Sequence, residues 1–253
     1  MSAPSFRVDG LNALVTGAAA GIGAAIAIAL AESGATVACH GNRRPALDTC
    51  NRITDLGGRS LPLEGDLEFR GTAERLVSSV VAEFGGIDLL VNCAGMIRRA
   101  PAIEYPEEDW AAVIEVNLSS VFRICQAAGR RMLAAGRGKI VNIASLLAFQ
   151  GGISVPAYAA SKGGVAQLTK ALANEWAAHG INVNAIAPGY VVTENTAALR
   201  ADAERSRQIL ERIPAGRWAV PADIAGAAVF LCSSASDYVN GHVLAVDGGW
   251  LGR

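Results

Sequence analysis

Protein metal sites are usually built from clustered cysteine and histidine residues, and this sequence has neither kind of cluster. Its three histidines and five cysteines form no CxxC pair and no mixed His/Cys group. The cysteines are also odd in number and widely scattered inside apolar runs, which gives no disulfide framework. We therefore expect no metal site, and cysteines that are buried free thiols in a reducing compartment.

A dominant charge and long apolar stretches are missing as well. The 253 residues carry a formal net charge of -1 without a long basic or acidic block, so nothing attracts nucleic acid or an anionic membrane. No apolar run is long enough to cross a bilayer, and the first ten residues lack the apolar centre of a signal peptide. These features predict a cytoplasmic protein whose partners are small molecules or copies of itself.

What the sequence does contain is a regular alternation of short apolar runs with longer helical segments. At 51% hydrophobic residues, the chain can bury one large core. The alternation predicts an α/β fold: a doubly wound sheet of seven parallel strands with helices on both faces, in a single domain spanning 1–253. Strands are predicted at 12–16, 35–39, 59–64, 87–91, 139–144, 181–186 and 242–247, and helices at 24–33, 43–56, 71–84, 158–179 and 221–233, with one long helix within 106–136.

The segment 189–220 interrupts this alternation. It is polar, has helical character and shows only a weak strand pattern. We interpret it as a lid or substrate-binding loop; the alternative is a pair of solvated surface helices.

A glycine-rich turn follows the first strand directly. Gly17, Gly21 and Gly23 stand between that strand and a helix, where bare backbone and a helix N-terminus can approach a pyrophosphate. The spacing is GxxxGxG rather than GxGxxG. Its position after the first strand of a parallel sheet favours a dinucleotide ligand.

The residues after the second strand bear on the ribose of such a ligand. A carboxylate at this point would pair with a free 2′-hydroxyl and repel a 2′-phosphate, but the sequence reads His40-Gly-Asn-Arg-Arg44. Arg43 or Arg44 could hold a phosphate, or could be solvated surface residues. The residues themselves leave NAD(H) and NADP(H) equally open.

Other polar and small residues close later strands, where ligands of such sheets bind. Asp66 could accept a hydrogen bond from an adenine amino group, and Thr193 could reach a nicotinamide carboxamide. The complete set of expected cofactor-binding residues is Gly17, Ala19, Gly21, Ile22, Gly23, Asn42, Arg43, Asp66, Leu67, Asn92, Ala94, Gly95, Tyr158, Lys162, Pro188, Gly189, Val191 and Thr193.

A tyrosine and a lysine share one face of the helix predicted at 158–179. The four-residue spacing puts Tyr158 and Lys162 about one turn apart, and a neighbouring ammonium should lower the pKa of the phenol. Ser145, after the fifth strand, could bring a hydroxyl to the same point. Asn117 lies inside the long helix, where an amide tends to bond backbone, so a kink or a water site is expected there.

Together these motifs resemble the classical short-chain dehydrogenases/reductases. The resemblance covers nearly the whole chain in order, and it departs at Cys93, where the family usually has a second asparagine. It implies a Rossmann-type domain, a nicotinamide cofactor, a homotetramer and a catalytic tetrad. The segments that carry it are 16–23, 92–95 and 188–193, and the tetrad would be Asn117, Ser145, Tyr158 and Lys162.

Less general segments, such as 97–99, 149–152 and 212–218, resemble the members of this family that act on sugar acids. That resemblance implies a sugar-acid ketone or alcohol as substrate, and NAD(H) slightly ahead of NADP(H). A guanidinium fork suits a carboxylate, and amide or phenol groups suit hydroxyls. The substrate-binding candidates are Arg98, Arg99, Arg217, Gln150 and Tyr190.

Two other functions stay open at this point. The chain could reduce another carbonyl, such as a 3-oxoacyl thioester or a cyclic ketone, on the same scaffold. It could also be a dinucleotide-binding sensor without turnover, although a sensor has no need of Tyr158 and Lys162 together.

Overall fold

The computed structural model describes residues 4–253. Seven parallel strands form one sheet in the order β3-β2-β1-β4-β5-β6-β7, so the predicted doubly wound α/β fold is confirmed. The chain starts in the middle of the sheet, builds outward to β3, and returns to build the other half from β4. The strands are β1 (Asn12–Thr16), β2 (Thr36–Gly41), β3 (Ser60–Glu64), β4 (Leu89–Asn92), β5 (Gly138–Ile143), β6 (Ile181–Pro188) and β7 (Val243–Val246).

Helices cover both faces of this sheet. They are α1 (Gly21–Glu32), α2 (Leu47–Asp55), α3 (Thr72–Phe84), α4 (Glu107–Ile114), α5 (Ser120–Ala135), α6 (Pro156–Trp176), α7 (Ala197–Ala201), α8 (Ala203–Arg212) and α9 (Pro221–Cys232). Alternate residues of β1 show the division between the faces, because Ala13 and Val15 pack with α1 and α9 whereas Leu14 packs with α3, α5 and α6.

Two predicted helices differ from the structure in ways that bear on function. The helix predicted at 43–56 begins only at Leu47, because Pro45 disfavours helical geometry in the residue before it. Arg43 and Arg44 therefore lie in a loop at the edge of the sheet. The long helix predicted within 106–136 contains a π-helical turn, Glu115–Ser119, between α4 and α5.

The cysteines are free thiols, and all but Cys93 are buried. No helix within residues 4–253 has the length and apolar content to cross a membrane. The carboxyl ends of β1 and β4 meet where the strand order reverses, and this is the edge at which ligands of doubly wound sheets bind.

Candidate active site

The glycine-rich turn brings two loops of backbone together at the carboxyl edge of the sheet. Gly17 has φ +67°, and a Cβ atom on it would lie 2.8 Å from the backbone N of Ala94. A Cβ on Gly23 would lie 2.2 Å from the carbonyl oxygen of Gly17. Side chains at these two positions are therefore excluded, and the start of α1 stays open to a ligand.

A groove runs across this edge. Its inner end has a volume of about 530 Å³ and is bounded by the glycine turn, Ser145, Tyr158, Lys162 and the segment after β6. Its outer end, of about 380 Å³, shares Gly17, Ala94 and Gly95 with the inner end. The outer end is also lined by Asn42, Arg43, Asp66 and Leu67, as the sequence predicts for a cofactor site.

Two of the expected cofactor residues lie elsewhere. The side chain of Asn92 is buried between β4 and β5, where its Nδ2 donates to Asn142 Oδ1 (2.9 Å). The side chain of Ala19 packs against the core, and its neighbour Ala20 lines the groove instead. Both positions were inferred from their closeness in sequence to the glycine turn or a strand end, which does not fix the direction of a side chain.

His40 supports the groove, a role that no sequence pattern indicates. Its ring is buried, with Nε2 2.8 Å from the carbonyl oxygen of Gly65 and Nδ1 3.4 Å from the backbone N of Gly17. Nε2 therefore carries the proton, and Nδ1 accepts from the glycine turn. Burial lowers the pKa of His40, which favours this neutral form.

Ser145, Tyr158 and Lys162 converge at the inner end of the groove. Ser145 follows β5, and its hydroxyl accepts from the backbone N of Leu147 (3.2 Å). Tyr158 and Lys162 lie one turn apart on α6, with Lys162 Nζ 5.6 Å from the centre of the phenol ring. The same Nζ donates to the carbonyl oxygen of Ile143 (2.6 Å), which holds the ammonium at the carboxyl end of β5.

The expected lowering of the phenol pKa is wrong for this structure. Burial raises the pKa of Tyr158, and the Ser145 hydroxyl and the charge of Arg99 oppose it only in part. Lys162 is itself desolvated, and burial lowers its pKa from 10.5 to about 8. The ammonium is directed at a backbone carbonyl rather than at the phenol oxygen, so its influence on Tyr158 is smaller than the one-turn spacing suggests.

Asn117 lies in the π-helical turn, as the expected kink requires. It is fully buried, its Oδ1 accepts from the backbone N of Met96 (2.8 Å), and its Nδ2 donates to Met96 O (2.9 Å) and Ser161 Oγ (3.2 Å). The amide thus fastens the loop after β4 to α6. This contact fixes Gly95 beside Lys162, whose Nζ would lie 3.7 Å from a Cβ on that glycine.

A second cavity opens on the other side of Ser145 and Tyr158. Its volume is about 390 Å³, and its wall includes Gln150 and Tyr190, both predicted substrate residues. We call it the arginine cavity, because Arg99, Arg205 and Arg212 line it and, among the described residues, no aspartate or glutamate does. The last two arginines belong to α8, within the segment predicted to be a lid.

Arg98 and Arg217, also predicted substrate residues, do not line the arginine cavity. Arg98 lines the outer end of the groove and pairs with Asp109 (3.6 Å). Arg217 is held by both carboxylate oxygens of Asp223 (2.6 and 2.7 Å) and faces a separate cavity. Each guanidinium is already neutralised by a carboxylate, which reduces its attraction for another anion.

Gln150 and Tyr190 are fixed by aromatic contacts in the wall of the arginine cavity. Gln150 Oε1 accepts from Trp250 Nε1 (3.2 Å), and the Tyr190 ring packs on Trp250 with ring centres 4.7 Å apart. Trp250 is buried close to the end of the chain. Trp250 is therefore part of the cavity wall and fixes two of its polar side chains.

A parallel sheet with a glycine turn at its switch point, and a serine, tyrosine and lysine beside that turn, defines a nicotinamide-dependent oxidoreductase site. The chain belongs to the short-chain dehydrogenase/reductase family and is an oxidoreductase that acts on CH–OH groups. The family model described as Enoyl-(Acyl carrier protein) reductase matches residues 17–251.

Individual relatives carry the comparison further. The chain is 53% identical over 250 residues to the 2-dehydro-3-deoxy-D-gluconate 5-dehydrogenase of Escherichia coli strain K12, covering 98% of each chain. It is 41% identical over 251 residues to the gluconate 5-dehydrogenase of Gluconobacter oxydans, again covering 98% of each. A gluconate 5-dehydrogenase from Burkholderia cenocepacia, solved with NADP and tartrate, matches with a TM-score of 0.93, 40% identity and 98% coverage of both chains.

Proposed function

We propose that this protein interconverts a ketone and a secondary alcohol of a sugar acid, with a nicotinamide cofactor in the groove and the sugar acid in the arginine cavity. One observation carries the proposal: Ser145 and Tyr158 line both spaces. A hydride donor on one side and a carbonyl on the other would therefore meet at the same two hydroxyls.

The lining of the arginine cavity supports an anionic, hydroxylated substrate. Three guanidiniums without a carboxylate among the described lining residues favour an anion, and planar guanidiniums match a carboxylate. Gln150 and Tyr190 offer polar groups for sugar hydroxyls. The relatives at 53% and 41% identity are named for sugar-acid substrates, and the Burkholderia structure holds tartrate, a hydroxylated dicarboxylate.

The positions of the four tetrad residues support a separate role for each. The nicotinamide, when bound, supplies or accepts the hydride. In the reductive direction Tyr158 would give its proton to the oxygen of the carbonyl, and Ser145 would donate a hydrogen bond to the same oxygen as charge develops. Lys162 would bond the nicotinamide ribose. Asn117 would hold the loop after β4 against α6. It would also bind a water that links Lys162 to solvent, so that the proton given up by Tyr158 can be replaced.

The bare backbone of the groove floor supports a nicotinamide dinucleotide as the ligand. Arg43 and Asp66 line the outer end, where Arg43 would bind a 2′-phosphate if one is present and Asp66 would accept from the adenine amino group. The slight preference for NAD(H) that the resemblance implies stays a prediction, while the Burkholderia relative was solved with NADP.

Arg43→Ala should weaken NADPH binding about tenfold or more and leave NADH binding unchanged, as measured by fluorescence titration. Equal losses for both cofactors would mean that Arg43 does not contact a 2′-phosphate.

The decisive experiment follows the absorbance of NADH and of NADPH separately against a panel of keto sugar acids, cyclic ketones and a 3-oxoacyl thioester. We expect turnover of the sugar acids, and a fall of at least a thousandfold in kcat for Tyr158→Phe with cofactor affinity retained, since the variant lacks the proton donor. Preferential turnover of a thioester or cyclic ketone would replace the sugar acid with that substrate. Binding of cofactor without any turnover would favour a sensor.

The homotetramer implied by the family resemblance also stays a prediction. Light scattering after size-exclusion chromatography tests it, and a clean monomer of 26.1 kDa would contradict it.

A further inference from the structure

Helix α8 presents two chemically different faces. Arg205, Gln208, Ile209 and Arg212 follow the i, i+3, i+4, i+7 spacing of a single helix face, and all four line the arginine cavity. The solvent face differs because its arginine is paired with carboxylates: Arg207 contacts Glu204 at 2.7 Å and Glu211 at 2.5 Å, both on the same helix.

The two cavity-facing arginines have no carboxylate partner among residues 4–253. Arg205 Nη1 donates to Gln208 Oε1 (3.2 Å), and Arg212 Nη2 donates to Gln150 Oε1 (3.4 Å). Both partners are neutral amides, which leave the positive charges uncompensated. Their remaining N–H groups are available to a ligand in the cavity.

Arg212 is also held in place by an aromatic ring. The carbon of its guanidinium lies 4.0 Å from the centre of the Trp250 ring, and Gln150 Oε1 is shared between Arg212 and Trp250 Nε1. A stacked guanidinium loses little further conformational freedom when it binds a carboxylate. This contact orients the planar fork before any substrate arrives.

The α8 arginines stand apart from the wall that the arginine cavity shares with the groove. Ser145 and Tyr158 line both spaces, whereas Arg205 and Arg212 line the arginine cavity but not the groove. An anion bound at α8 is therefore displaced from the point where proton transfer takes place. The remaining length of the substrate has to span that separation.

We propose that Arg205 and Arg212 bind the carboxylate of the substrate, so that α8 determines which carbon of the sugar acid meets Tyr158. This inference rests on the proposed function and adds a rule to it. A ketone several carbons from the carboxylate is placed at Ser145 and Tyr158, and a ketone adjacent to the carboxylate is held away from them. Arg99, the third arginine of the cavity, then faces the hydroxylated end of the substrate.

The test uses two compounds that differ only in the anion. 5-Dehydro-D-gluconate carries the carboxylate, and L-sorbose is its neutral counterpart with a hydroxymethyl group in that place. We expect Arg205→Ala and Arg212→Ala each to lower kcat/KM for 5-dehydro-D-gluconate by roughly 10- to 100-fold and to leave kcat/KM for L-sorbose unchanged. The matched control is Arg207→Ala on the outer face of α8, which should change neither value.

The position of the ketone is tested with the wild-type enzyme. 2-Dehydro-D-gluconate has the same charge and length, but its ketone is next to the carboxylate, so it should be turned over far more slowly than 5-dehydro-D-gluconate. Equal rates for the two isomers would overturn the rule. Where an alanine variant fails to fold, Arg205→Lys and Arg212→Lys carry the test, because lysine keeps the charge but loses the fork and should give a smaller fall in the same ratio.

Failure of this inference is distinguishable from failure of the proposed function. The diagnostic quantity is the ratio of kcat/KM for 5-dehydro-D-gluconate to kcat/KM for L-sorbose. The inference is wrong if Arg205→Ala and Arg212→Ala keep the wild-type ratio while Arg99→Ala removes the preference for the anionic compound. It is equally wrong if Arg207→Ala lowers the ratio as much as the other two. In both cases the sugar-acid activity itself remains. A wild-type enzyme that reduces neither compound but does reduce a thioester would instead refute the proposed function.

Discussion

The buried ammonium of Lys162 imposes a pH-dependent cost on folding, and Lys162→Met should remove it. Lys162 is only 4% exposed, and burial lowers its pKa from 10.5 to about 8. A difference of that size between the folded and unfolded states corresponds to about 3 kcal/mol. Methionine has a similar length and carries no charge, so it avoids this cost. It leaves the carbonyl of Ile143 without its donor, which costs about 1–3 kcal/mol at every pH.

The sign of the effect follows from proton binding. Below about pH 8 the lysine is charged in both states, and the full cost of burying the charge is present. Between about pH 8 and 10.5 the folded protein has lost the proton while the unfolded chain keeps it, so the stability of the wild type rises with pH. Above that range the cost has disappeared.

The assay is urea unfolding of the wild type and Lys162→Met at pH 7, 8, 9 and 10. We expect the variant to be most favoured at pH 7 and to lose about 2.5 kcal/mol of that relative stability by pH 10. The matched control is Lys170→Met, which removes an exposed ammonium from the same helix and therefore relieves no cost of burial. A difference for Lys162→Met that stays constant from pH 7 to 10 would refute the reasoning.

Two further predictions concern the backbone around the groove. Asn117→Ala leaves the N–H and C=O of Met96 without partners, and urea unfolding should show a loss of about 2–5 kcal/mol, with weaker cofactor binding because Gly95 loses its support; wild-type stability would contradict this. Gly189→Ala places a Cβ 2.7 Å from Asp247 Cα and should cost about 1–3 kcal/mol by the same assay, whereas Gly226→Ala, with no atom within 4 Å, should stabilise α9 by about 0.5–1 kcal/mol. Equal effects at the two glycines would show that the close contact is absent.

Sequence patterns predicted the sheet, and the meeting of Tyr158 and Lys162 at its carboxyl edge, because each depends on local rules. Strands buried on both faces are continuous apolar runs, and the glycine turn excludes side chains for steric reasons at Gly17 and Gly23. Tyr158 and Lys162 share a helix face by spacing alone. All of these features can be predicted from neighbouring residues, without the positions of distant parts of the chain.

The arginines could not be sorted in the same way. Arg98 and Arg99 are neighbours in a loop without periodicity, and the path of the chain after β4 directs only the second into the arginine cavity. On α8 both faces carry arginine, and the packing of Ile209 against Leu146 and Trp250 determines which face turns inward. Because that contact joins residues far apart in sequence, it cannot be predicted from a local pattern.

The segment after β6 has one more consequence. Asn195 and Thr196 line both the groove and the arginine cavity, and the carbonyl oxygen of Asn195 accepts from Arg99 (3.1 Å). A movement of these two residues that admits one ligand therefore reshapes the wall against which the other binds. If bound cofactor raises the affinity for the substrate through this shared wall, thermodynamic linkage requires that bound substrate raises the affinity for the cofactor by the same factor.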